Sequence, residues 1–155
     1  MKRNSFGIMG KKIFIAAPIS GYNNKSEYKL FRQFILHLIE ALRLVGFVVC
    51  SEVEQISKAG NYDSPTKSVN DDFFNIHSSD IFLMLHPKKM QTSTLIELGY
   101  ACADHKSIVL VGKADDFPYL AKGLEDSEIS TRFVKVEAFS DKSIDGIVDI
   151  ITSLK

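Results

Sequence analysis

Two cysteines in 155 residues, Cys50 and Cys102, are too few for a disulfide framework or a zinc site. Each reads as a small buried hydrophobe. Charge of one sign is also missing, because 19 basic and 19 acidic residues cancel. A protein that grips polymeric nucleic acid or a lipid surface normally carries a basic excess. Neither partner is therefore indicated, and small-molecule chemistry is favoured. No apolar run approaches the ~20 residues of a membrane span. The opening stretch MKRNSFGIMGKK has basic residues but no apolar segment ahead of a cleavage site, so the expected location is cytoplasmic. There is no HExxH, GxSxG or CxxC motif, no GxGxxG and no phosphate-loop pattern. His37, His77, His86 and His105 are scattered rather than clustered as ligands. Neither a metal nor a redox cofactor is expected. His86 ends an apolar run and is a candidate pocket-lining residue.

Internal repeats, low-complexity tracts and Pro/Gly-rich linkers are absent too. With 45% apolar and 25% charged residues the composition is that of an ordinary globular chain. At this length one domain over 1–155 is expected, with residues 1–11 as a loose lead-in.

What is present alternates. Lys12 to Ala17 (KIFIAA) is a short β-rich run stopped by Pro18. Ser26 can cap a helix to about Val45, because Leu30, Phe31, Phe34, Ile35, Leu38, Ile39, Leu42 and Val45 recur at three- and four-residue steps. Gly46 suits its C-terminal cap. Phe47 to Cys50 is a second strand. Ser51 to Ser64 is polar, with room for a short helix. Pro65 suits the first turn of a helix over Thr66 to His77. Asp80 to Leu85 is a third strand, apolar on both faces as in a central parallel strand. A helix over Thr94 to Asp104, a strand over Ser107 to Val111, a partly helical segment over Asp115 to Glu128, a strand over Arg132 to Val136 and a helix over Ser140 to Leu154 complete the pattern.

Strands alternating with helices imply right-handed crossovers and a parallel sheet covered on both sides. The expected fold is α/β: a three-layer, doubly wound, flavodoxin- or Rossmann-like sheet of five parallel strands in the order 2-1-3-4-5. Ligands of such sheets bind beyond the carboxyl ends of the strands, where the strand order reverses. The loops at that edge are 18–25, 51–64, 86–93 and 112–118.

Glu97 falls in the first turn of the helix after the third strand, which puts a carboxylate at that crevice. A helix N-terminus favours negative charge, so Glu97 is expected to stay ionised, as a nucleophile must. The plainer reading of Thr94-x-x-Glu97 is a capping box that satisfies an orphan amide. Asp71 and Asp72 form a second candidate. A carboxyl group beside another is pushed toward protonation and can deliver a proton. Cleavage of an N-glycosidic bond asks for that pair, one carboxylate at the anomeric carbon and one acid at the leaving base. The plainer reading is a Ser68-x-x-Asp71 cap with Asp72 solvated. In the loop after the first strand, amides of Ile19, Ser20, Gly21 and Tyr22 can cradle a phosphate or sugar hydroxyls.

Together these segments resemble the nucleoside 2-deoxyribosyltransferase family, including its 2'-deoxynucleoside 5'-phosphate N-hydrolase branch. The resemblance runs from about Lys12 to Phe139. It rests on Ile13–Phe14–Ile15–Ala16–Ala17–Pro18–Ile19–Ser20–Gly21, on Asp72 eight residues before Asp80, and on Glu97–Leu98–Gly99–Tyr100–Ala101 followed by the strand from Ile108. Arg132–Phe133 resembles the hydrolase branch. The resemblance implies Glu97 as the nucleophile of a glycosyl-enzyme intermediate and Asp72 as the acid that assists the base. It implies substrate contacts from Pro18, Ile19, Ser20, Gly21, Tyr22, Ser93 and Thr94, a nucleoside or nucleotide substrate, and a homodimer or larger homo-oligomer. Gln91 stands about where the family carries an acid or a phosphate-binding serine, and Leu95 replaces a small residue. Ala121 stands nearest to a serine that the hydrolases draw from a neighbouring subunit, with Lys122 beside it as an electrostatic substitute. Two other readings follow from the same residues. A glutamate at a sheet edge also occurs in Toll/interleukin-receptor-like domains that cleave NAD. The altered 90–94 loop fits a nucleotide-sensing module that has lost the chemistry.

Overall fold

The computed structural model describes residues 10–56 and 62–154. Most of the lead-in over 1–11 and part of the loop over 51–64 lie outside the described residues. The strands are β1 (Lys12–Ala16), β2 (Val48–Cys50), β3 (Ile81–His86), β4 (Ser107–Gly112) and β5 (Thr131–Lys135). They form one parallel sheet in the order β2-β1-β3-β4-β5, the order expected from the sequence. The helices are α1 (Lys25–Leu44), α2 (Pro65–His77), α3 (Thr94–Ala103), α4 (Tyr119–Lys122) and α5 (Asp141–Thr152).

Alternation along the strands builds two cores. Ile13, Ile15, Leu83, Leu85, Val109 and Val111 face one side and pack under α1 and α5 through Leu38, Leu42, Ile147 and Ile151. Phe14, Ala16, Phe82, Met84, Ile108 and Leu110 face the other and meet Ile76 of α2, Leu98 and Ala101 of α3, and Ala121 of α4. Successive strand side chains point to opposite faces, so an all-apolar strand requires a helical layer on each. Among the described residues no helix is long and apolar enough to cross a membrane.

Local chemistry moves several boundaries. The α1 cap is Asn24, whose Oδ1 accepts from the Ser26 amide at 2.9 Å, rather than Ser26 itself. Asp80 leaves β3 because its carboxylate accepts the Lys12 amide at 2.7 Å. The possible helix after β2 is a short 3-10 turn, Glu52–Glu54. Cys50 and Cys102, expected inside, are free and half-buried.

The β2 end of the sheet is clamped from α1. Arg43 grips both carboxylate oxygens of Glu54 at 2.7 and 2.9 Å and donates to Val49 O at 2.9 Å. Arg32 Nε donates to Val53 O and Ile56 O, and Tyr28 Oη donates to Ile56 O. Carbonyls that no sheet partner satisfies are thus bound by side chains, which fixes the chain where it leaves β2.

At the far end Gly112 has φ +156°, and a Cβ there would lie 2.5 Å from His86 O and 2.9 Å from the Phe117 ring. Backbone cannot yield as a flexible side chain does. Gly112→Ala is expected to cost about 2 kcal/mol or more in urea denaturation; a change below about 0.5 kcal/mol would show that β4 relaxes freely there.

Candidate active site

A cleft of about 600 Å³ opens beyond the carboxyl ends of β1 and β3, a volume suited to a small organic ligand. One wall is the loop after β1, through Ala17, Ile19 and Ser20. The 3-10 turn after β2 supplies Glu52 and Gln55. α2 supplies Ser68, Val69, Asp72 and Phe73, and the start of α3 supplies Ser93, Ile96 and Glu97.

Asp71 and Asp72 part company. α2 begins at Pro65 with Ser64 as its cap, whose Oγ accepts the Lys67 amide. That places Ser68 and Asp71 inside the helix, so no Ser68 cap exists. Asp71 faces solvent and holds Lys67 Nζ at 2.6 Å, which also contacts Asp63. Asp72 faces inward and is only 8% exposed. Its Oδ1 is buried with no hydrogen-bond partner. Phe73 stacks on Tyr100 of α3, with ring centroids 4.2 Å apart, and this contact sets α2 against α3.

Glu97 is not part of a capping box. The α3 cap is Ser93, in a helical conformation with no side-chain cap bond, and Thr94 is already the first helical residue. The Glu97 amide bonds to Ser93 O at 3.3 Å, and its side chain lines the cleft. Nor is that carboxyl held ionised. Burial, and then the charges of Asp72 and Glu52, push it up to about 8. A helix start favours the anion by roughly 0.3–1 kcal/mol, less than one pKa unit, and desolvation beside two other acids outweighs it.

Glu52 was not anticipated. Its loop was placed at the crevice, but a single glutamate in a polar stretch carries no local signal. Ser51 caps the turn through Val53 N, and Val53 is buried in the core. Glu52 thereby reaches the cleft beside Asp72, where the two carboxyl groups interact and can bond through a shared proton. Two carboxyl groups can share such a bond only if one carries a proton. Burial, the Glu52 charge and the interaction with Glu52 push Asp72 up to about 7. Glu52 is raised by burial, partly offset by accepting that bond.

Ile19, Ser20 and Ser93 line the cleft with Asp72 and Glu97, whereas the remaining sequence candidates lie elsewhere. Pro18 lies between Ala17 and Ile19 without itself lining the cleft. Gly21, at φ +95°, passes against Met90 and Gln91, where a Cβ would come within 3.2 Å of Met90 Cε. Tyr22 packs on Tyr28 and Phe31, under Lys88, and lines a separate, smaller cavity. Thr94 is buried and turned to Thr92. Lys122 ends α4, 3.8 Å from Asp115 and outside the cleft lining. His86 is buried rather than pocket-lining; Nε2 donates to Asp116 O, and burial lowers its pKa.

No family model and no curated protein matches the chain. Solved structures do. The CMP N-glycosidase BcmB of Clostridium botulinum aligns over 90% of this chain and 99% of its own, at 22% identity and a TM-score of 0.69. BlsM aligns over 92% and 90%, at 20% identity and a TM-score of 0.72. A conserved protein of Enterococcus faecalis V583 aligns over 91% and 87%, at 15% identity and a TM-score of 0.53. At these identities the likeness is one of fold.

Acids raised on folding make stability fall with pH, because the folded state keeps protons that the unfolded chain has lost. The stabilisation from protonated Asp72 and Glu97 is fully present below about pH 4, their unfolded range, and is lost as pH rises through about 7 and 8. Glu97→Gln is expected to match the parent in melting temperature near pH 4 and to exceed it by several degrees above pH 8. An unchanged gap at both values would show that the Glu97 carboxyl is solvated.

Proposed function

We propose that this protein cleaves, or transfers across, the N-glycosidic bond of a nucleoside or nucleoside 5'-monophosphate, with Glu97 as nucleophile and Asp72 as acid. The observation that carries the reading is a pair of desolvated carboxyl groups, held on different helices, facing one cleft at the sheet's switch point. The fold shared with a CMP N-glycosidase supports it, as does the resemblance of the Ile13–Gly21, Asp72 and Glu97–Ala101 segments to nucleoside 2-deoxyribosyltransferases.

A Glu97 carboxylate oxygen attacks the anomeric carbon while the bond to the base breaks. The bonding pair leaves with the base, and the Asp72 proton goes to it. A glycosyl ester of Glu97 results. Water then adds at the anomeric carbon, the ester bond breaks, and the water's proton returns to Asp72. A second base in place of water gives transfer. Two displacements on one carbon retain configuration. Desolvation aids both roles, since a poorly hydrated carboxylate attacks readily and a raised acid carries its proton at neutral pH.

The working form has Glu97 ionised and Asp72 protonated, the less populated placement of the pair's one proton because Glu97 is raised above Asp72. With the groups near 8 and 7, kcat/KM is expected to rise through about pH 7 and fall above about pH 8. A profile flat from pH 5 to 9 would contradict the pairing.

Product analysis after incubation with deoxynucleosides, ribonucleosides, their 5'-monophosphates and NAD is the direct test. Free base and sugar, or exchanged bases, are expected from the first groups. Nicotinamide release alone would point to an NAD glycohydrolase, and no release from any would end the proposal. Glu97→Ala is expected to lower kcat about ten-thousandfold with the fold intact. Asp72→Asn is expected to lose about a hundredfold or more on ordinary bases. It is expected to lose little on N7-methylated purine nucleosides, whose base departs without a proton. Equal losses on both would remove Asp72 from the acid role.

A further inference from the structure

We propose that Glu52 is a positioning residue that holds the acidic proton on Asp72 and aims it into the cleft. The inference rests on the acid role of Asp72 and adds a third carboxyl group to the machinery.

Three features of the geometry support it. Glu52, on the turn after β2, and Asp72, on α2, line the same cleft. Asp72 is more than nine-tenths buried, with Oδ1 unpartnered at the cleft wall. An acid that donates to Glu52 through its proton has one fixed orientation. The turn bearing Glu52 is also held from α1, by Arg32 on Val53 O and Ile56 O and by Arg43 on Glu54 and Val49 O. A floppy carboxylate would swing to water. This one is fixed at both sides, by a buried Val53 and by the arginine clamp.

The electrostatic surroundings point the same way. Asp72 feels Glu52 and Asp71, and its charge acts on Glu97 and Cys50; Glu52 also feels Asp63 and Lys67. Lys67 lies between Asp63 and Asp71 on the solvent side, so it does not neutralise the pair from within. A fixed anion at Glu52 keeps the Asp72 proton in place until the departing base, gaining negative charge, takes it. Asp72 is then an anion beside Glu52, and their repulsion favours its recovery of a proton from the incoming water. Each turnover therefore ends with the acid reset.

The test compares the parent with Glu52→Gln and Glu52→Asp, following the Asp72 and Glu97 carboxyl carbons by NMR from pH 4 to 10 and measuring kcat/KM over the same range. Glu52→Gln removes the charge. The Asp72 and Glu97 midpoints are expected to fall by roughly one unit or more, and both limbs of the pH profile are expected to move down with them. Glu52→Asp keeps the charge but shortens the reach. It is expected to leave the midpoints raised and to lower kcat about tenfold with little change in KM. A merely structural role would lower stability without moving the midpoints. Midpoints unmoved in folded Glu52→Gln overturn the proposal. Should that variant not fold, full kcat in Glu52→Asp overturns it. The titration needs no substrate, so a parent inactive on every nucleoside and nucleotide refutes the glycosidase reading while the Glu52–Asp72 coupling is still decided.

Discussion

Carboxyl groups taken out of water beside one another prefer to keep their protons, and the centre of this molecule is built on that cost. Asp72, Glu97 and Glu52 meet in one cleft without a basic side chain among its described lining residues. Burial is the largest contribution at each of them, and mutual charge adds to it. Such an arrangement opposes folding at neutral pH and has to be imposed by the rest of the structure. It also yields two states of matched proton affinity, which is what an acid and a nucleophile working near neutrality require.

The scaffold imposes it from three directions. The two-faced apolar sheet fixes where the strands end. The arginines of α1 pin the chain just beyond β2, and the Phe73–Tyr100 stack sets α2 against α3. Each is an ordinary device of packing or hydrogen bonding. Together they bring side chains from three separate segments to one cleft.

The sheet was legible in the sequence because burial on both faces forces continuous apolar strands between amphipathic helices. Ile13 to Ala16, Phe82 to Leu85 and Ile108 to Val111 leave no other reading. Asp72 and Glu97 stood out through spacing and resemblance. Their electrostatic state was not legible. The start of α3 suggested an ionised glutamate and a capping box, but ionisation is decided by desolvation and by distant acids, and the cap is lost because Ser93 rather than Thr94 precedes the helix. Glu52 was missed because its partner lies on another element and nothing local marks it. Tyr22 and Lys122 show the converse. Loop position named Tyr22, which packs on Tyr28 and Phe31, and the resemblance named Lys122 for a neighbouring subunit's site, so that its place beside Asp115 lies outside this chain's own cleft.

The central claim is that Glu97 bonds to the sugar. Its most direct measurement is peptide mass spectrometry of protein acid-quenched during turnover of a 2'-fluorinated nucleoside, whose electron-poor sugar slows breakdown of the ester. The expected result is one glycosyl unit on the peptide containing Glu97, absent from Glu97→Ala. Turnover with no adduct, or with the unit on any other residue, would contradict it.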